Sequence, residues 1–131
     1  MKRIIGLSAI VLALIFMSGC RNGAVYNIAG VPSDVKKSTT EDQMFKAIKA
    51  AGVGLGWIVK KVEDGHAIAQ LNIRSHMALV DIKYNQKEYS ITYKDSSNLK
   101  YNATKGTIHS NYNGWIQRLD NAIKKQFSLL N

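Results

Sequence analysis

The sequence predicts an α+β fold: a four-stranded antiparallel meander with two helices packed on one face, in the order α-β-β-β-β-α. Three observations carry this reading. Of four consecutive strand-like segments between residues 57 and 95, the last three alternate apolar and polar side chains with period two, the mark of strands with one face on a core and one in water. Apolar residues at helical spacing precede them near residues 44–51 and follow them at 112–127. Cap or turn chemistry lies between the segments.

The first helix follows Ser38, Thr39 and Thr40, whose hydroxyls suit an N-cap, and Glu41 and Asp42 suit the positive end of its dipole. Met44, Ile48 and Ala51 share a face, with Phe45 and Ala47 beside it. Gly52, Gly54 and Gly56 are expected to end it. The run GVGLG has the look of a phosphate-binding loop, but it follows a helix and precedes a strand. Nucleotide fingerprints have the opposite order, so it reads as a turn.

The first strand is expected at 57–63, and Asp64-Gly65 is a hairpin signal. The second, 66–74, sets Ala67, Ala69, Leu71 and Ile73 against His66, Gln70, Asn72 and Arg74. The third, 77–84, sets Ala78, Val80, Ile82 and Tyr84 against Asp81 and Lys83. The fourth, 88–95, sets Tyr89, Ile91 and Tyr93 against Ser90, Thr92 and Lys94. A polar loop over 96–106 leads to the final helix, capped by Ser110 or Asn111. Its stripe is Tyr112, Trp115, Ile116, Leu119, Ala122, Ile123 and Phe127, with Trp115, Ile116, Leu119 and Ile123 expected to be buried on the sheet. Gly114 within this helix costs about 1 kcal/mol against Ala, which reads as a place where another backbone comes close.

The amino terminus carries targeting information. Lys2 and Arg3 precede an apolar run over 4–17, which ends at Ser18-Gly19-Cys20. This is the n-region and h-region order of a secretory signal, too short to span a bilayer. The cysteine at its end resembles the lipobox of bacterial lipoproteins, although Met17 stands where Leu is usual. The resemblance implies cleavage before Cys20, acylation of its thiol, and a membrane anchor. Arg21, in place of the Asp that favours inner-membrane retention, implies the periplasmic face of the outer membrane. The expected organisation is a signal peptide over 1–19, a lipidated cysteine with a flexible tether over 20–37, and one domain over 38–131; the alternative for the tether is an extended arm packed on the domain through Val25, Tyr26 and Ile28. No disulfide is available, since Cys20 is the single cysteine. The mature chain carries 16 basic and nine acidic residues, a net +7 that favours anionic partners.

Catalytic signals are sparse. His66, His76 and His109 have no metal-ligand spacing, and no Ser lies in a nucleophile elbow. No cofactor or metal is expected, and the location disfavours nucleic acid. The stretches Tyr93-Lys94-Asp95-Ser96-Ser97-Asn98-Leu99 and Ile108-His109-Ser110-Asn111-Tyr112-Asn113-Gly114-Trp115 are dense in aromatics and amides. As Y-x-D-S-x-N-L and I-H-x-N-Y-N-x-W, they resemble a signature of small proteobacterial lipoproteins of unassigned function. The resemblance spans about residues 57–124 and the lipobox, and it implies no activity. The candidate ligand site or structural corner is Asn98, Tyr101, His109, Asn111 and Tyr112, where the long loop meets the last helix.

These features lead to the expectation of a non-enzymatic, membrane-anchored envelope lipoprotein that binds a protein or an anionic polymer. The alternative is an electrostatic binder of anionic lipid or lipopolysaccharide. A cell-wall-acting enzyme is the weakest reading. Replacing Cys20 with Ser should leave an uncleaved, unacylated precursor by intact mass; a normally cleaved chain would refute the lipobox reading.

Overall fold

The computed structural model describes residues 22–131. The expected signal and Cys20 lie outside the described residues. The elements run β1 (Asn22–Ala24), β2 (Ile28–Pro32), α1 (Glu41–Gly54), β3 (Ile58–Glu63), β4 (His66–Ile73), β5 (His76–Tyr84), β6 (Glu88–Ser97), β7 (Thr107–His109) and α2 (Ser110–Ser128). The fold is α+β. The expected meander is β3 to β6, each strand antiparallel to the next, but the sheet has five strands in the order β2-β6-β5-β4-β3. A second sheet pairs β1 with β7.

Both departures come from one segment. The expected tether over 20–37 is largely part of the fold from Asn22 to Pro32. Ile28 lies opposite Ile91 and is buried, so β2 lengthens the core past β6. Between the two strands, Asn113 on α2 acts as a backbone mimic. Its side-chain Nδ2 donates to the Ala24 carbonyl (2.8 Å), and its Oδ1 accepts from the Tyr26 N–H (2.9 Å). Asn27 Oδ1 accepts from the Tyr93 N–H (2.9 Å). These bonds satisfy backbone groups of an extended segment that water would otherwise have to satisfy.

Helix α1 begins with a reciprocal capping box. Thr40 Oγ1 accepts from the Gln43 N–H, and Gln43 Oε1 accepts from the Thr40 N–H. Met44, Ala47, Ile48 and Ala51 are buried. They meet the sheet face made of Val59, Ala67, Ala69, Leu71, Ala78, Val80, Ile82, Tyr84, Tyr89 and Ile91 in one core. Three alanines near the centre of that face leave room for the bulkier helix side chains. The stripe of α2 supplies Tyr112, Ile116, Leu119, Ile123 and Phe127. Trp115 departs from expectation and is half-buried: it lies one position off the stripe, with its ring 6.5 Å from that of His76. Ile73 also departs, at 37% exposure, because it closes β4 at the rim of the helix cover, beside Trp115 and Arg118.

The glycines correct the expected helix end. Gly52 and Gly54 lie within α1, and the chain leaves the helix through Leu55 and Gly56, the latter at φ +90°. Gly52 is needed for space: a Cβ there would sit 2.5 Å from Val59 Cγ2. Gly114 has no such reason, since the nearest atom to a Cβ there is the Arg118 Nη2 at 3.9 Å. The expected close backbone is absent at that position. Gly52→Ala should therefore destabilise by about 1–3 kcal/mol through overpacking. Gly114→Ala should stabilise by about 0.4–1 kcal/mol. Paired urea unfolding curves check both, and equal effects at the two sites would contradict this account.

Candidate functional site

Strand β6 carries a bulge just before it ends. Val80 pairs with Tyr93 and Leu79 with Asp95, so Lys94 is the extra residue. Beyond the strand, Asn98 and Lys100 both adopt left-handed backbone, φ 59° and 54°. Asn tolerates this region better than most residues, while Lys is strained there. Leu99 between them is buried, which holds the loop against the core. Its carbonyl accepts from the His109 N–H (2.8 Å), so the loop runs beside β7.

This path brings two aromatic rings together. Tyr93 and Tyr101 stack with centroids 4.1 Å apart and planes 17° from parallel. The Tyr93 hydroxyl bonds Ser96 Oγ at 2.7 Å. Tyr112 meets the Tyr93 ring edge-on from within the core, at 5.8 Å and 68°. An open hollow of about 620 Å³ lies here, lined by Tyr93, Lys94, Asp95, Ser96, Asn98, Leu99, Lys100 and Tyr101. Asp95 Oδ1 accepts from the Ser96 N–H.

The five sequence candidates divide between this hollow and its supports. Asn98 and Tyr101 line it. Asn98 also braces the loop: its Nδ2 donates to Ser75 Oγ (2.8 Å), and its carbonyl accepts from His76 Nδ1 (2.7 Å). Tyr112 is buried, and its hydroxyl has no hydrogen-bond partner among the described residues. His109 is the N-cap of α2 in place of the expected Ser110 or Asn111, its Nδ1 accepting from the Asn111 N–H (3.1 Å). Asn111 is exposed on the first turn of α2. Tyr93, Lys94 and Lys100 join the hollow without having been singled out individually, although they stand in the same aromatic and amide-rich stretch. The third histidine, His66, bonds Asp81 on the uncovered sheet face at 2.7 Å.

A second polar constellation lies in the core. Asp120 is buried on α2, where it accepts a hydrogen bond from the Tyr89 hydroxyl and pairs with the Lys124 ammonium at 3.1 Å. The sequence does hold its signal. Asp120 falls four residues after Ile116 and three before Ile123, on the apolar stripe. Among the described residues, no three His, Cys, Asp or Glu side chains are grouped to hold a metal ion. No family model, curated protein or solved structure matches the chain.

Burial raises the pKa of four tyrosines above the ordinary 10.0. For Tyr89 the hydrogen bond to Asp120 and that residue's charge add to burial. For Tyr112 the neighbouring Tyr93 and Tyr101 add to it. The folded protein therefore holds these protons more tightly than the unfolded chain. The resulting stability is intact below pH 10 and declines at higher pH, as the unfolded chain ionises first. In a spectrophotometric titration, Tyr89 and Tyr112 should ionise only together with alkaline unfolding. Ionisation of all six tyrosines near pH 10 with the fold intact would contradict their burial.

Proposed function

We propose that the chain is a lipid-anchored, non-enzymatic binding module of the bacterial envelope, held at the periplasmic face of the outer membrane through Cys20. Its ligand is an envelope polymer bearing sugar rings and anionic groups, taken at the hollow formed by the end of β6 and the loop after it. One observation carries the reading: the Tyr101 ring, 41% exposed, is backed face to face by Tyr93 beside Lys94, Lys100 and Asn98. A supported flat ring offers apolar contact to the face of a sugar. The amide and ammonium groups around it provide the few directional contacts that fix orientation.

The net charge of +7 supports a second reading, electrostatic attachment to anionic lipid or lipopolysaccharide. Salt separates the two: an electrostatic mode weakens steeply as salt rises, whereas a stacking mode keeps most of its affinity.

The test is an NMR titration of the mature domain with cell-wall fragments and lipopolysaccharide sugars. Shifts should centre on Tyr93, Asn98 and Tyr101, and Tyr101→Ala should weaken binding tenfold or more while leaving the fold unchanged. Shifts confined to other surfaces, or none, would leave the loop as a structural corner only.

A further inference from the structure

We propose that one end of the domain rests directly on the bilayer, with apolar side chains among the headgroups and arginines on anionic phospholipid. The inference rests on acylation of Cys20. It begins from the distance between that residue and the fold. Cys20 precedes Asn22, the first residue of β1, by two positions. Two residues of extended chain reach at most about 7 Å. An anchor at Cys20 therefore has almost no slack, unlike one on a tether of seventeen residues.

The point of attachment is itself fixed. Asn22 pairs with His109, and the His109 N–H bonds the Leu99 carbonyl. Two steps of about 4.8 Å, the spacing of neighbouring strands, thus lead from Asn22 to Leu99. The adjacent Asn98 is bonded to Ser75 and His76 in the β4–β5 turn. The anchor and that turn consequently share one end of the molecule.

That end has the composition of a membrane-interface surface. Ile73 is 37% exposed and Leu55 40%, and with Trp115 and Arg118 they line a shallow notch of about 110 Å³. Arg74, exposed at φ 54°, follows Ile73 at the tip of the turn. An amphipathic ring beside aliphatic side chains suits the headgroup level of a bilayer. Guanidinium groups suit phosphates, which they grip through paired hydrogen bonds. The carboxylates lie mostly elsewhere. Glu63 and Asp64 are at the β3–β4 turn, Glu88 opens β6, and Glu41 and Asp42 open α1. These belong to the opposite strand ends. Asp95 is the carboxylate nearest the proposed membrane end, and its Oδ1 is engaged by the Ser96 N–H. Acyl chains combined with a basic, partly apolar patch give a two-part attachment that sets orientation as well as affinity.

The experiment uses the lipidated chain in vesicles of phosphatidylethanolamine and phosphatidylglycerol. Acylation removes the chain's single thiol, so one reporter cysteine at a time can be labelled with a polarity-sensitive fluorophore. Ile73→Cys reports the proposed membrane end, and Lys87→Cys reports the far β5–β6 turn. Intact mass is measured first: a missing acyl mass refutes the lipid-anchored reading itself. With acylation present, brominated lipid should quench the label at 73 at least threefold more than the label at 87. Aqueous iodide should show the reverse order. Adding Arg74→Glu and Arg118→Glu should bring the label at 73 to the level of that at 87, with the acyl mass unchanged. Equal iodide access at both positions in the acylated protein would overturn the proposal. So would shielding at 73 that occurs in native membranes but not in lipid vesicles, which would assign this end to a protein partner.

Discussion

A buried carboxylate fixes how α2 lies on the sheet. Asp120 sits within the apolar stripe of the helix, where an unpartnered charge would cost several kcal/mol. The Tyr89 hydroxyl on β6 and the Lys124 ammonium one turn along α2 provide its partners. Sliding the helix by one turn would separate Asp120 from Tyr89 and leave the buried Tyr89 hydroxyl and one carboxylate oxygen unmatched. Buried apolar contacts tolerate some repacking, whereas this hydrogen bond has one geometry. The position of every other α2 residue follows from it. Asn113 reaches the β1–β2 link, Trp115 reaches His76, and the N-cap falls on His109.

The amino-terminal segment depends on that placement. With three residues each, β1 and β7 cannot form a stable pair alone. They persist because α2 presents the Asn113 amide to the chain between β1 and β2, and because Ile28 adds to the core beside Ile91. A segment that reads as a linker is thereby an edge strand and a brace. For an anchored protein the difference has consequences. A flexible linker lets a domain present any face, whereas an anchored strand limits it to one.

The helices and the four-stranded meander were legible in the sequence, because the periodicity of all but β3 extends over eight to nineteen residues, and β3 is marked by the Asp64-Gly65 turn that follows it. Strands β1, β2 and β7 were not. Three to five residues are too few to show a period, and their partners lie about sixty to ninety positions away. The glycines of 52–56 show a related limit. Composition marks a helix end, but the clash between a Cβ at 52 and Val59 is a tertiary fact. In the candidate site, Asn98 and Tyr101 stood out through the density of amides and aromatics around them. The stack of Tyr93 on Tyr101 depends on the bulge at Lys94 and on two left-handed residues, none of which a strand pattern reveals. Asp120 was legible in principle, as an acid on an apolar stripe, but its partner Tyr89 is 31 positions away.

The loop after β6 is rigid for a reason that bears on recognition. Left-handed conformations at Asn98 and Lys100 persist only where the surroundings over-determine them. Here Leu99 is buried between the two, Asn98 is held by bonds to Ser75 and His76, and the His109 N–H closes on the Leu99 carbonyl. The shape of the hollow is therefore set when the chain folds. A ligand meeting a preformed surface does not have to order it, and more of the contact energy appears as affinity. On the reading proposed above, the same bonds serve twice. They hold the Tyr101 platform at its angle, and they join the loop to the turn that carries Ile73 and Arg74. The orientation of the domain on the membrane and the orientation of its binding surface are then fixed by one set of hydrogen bonds, centred on Asn98.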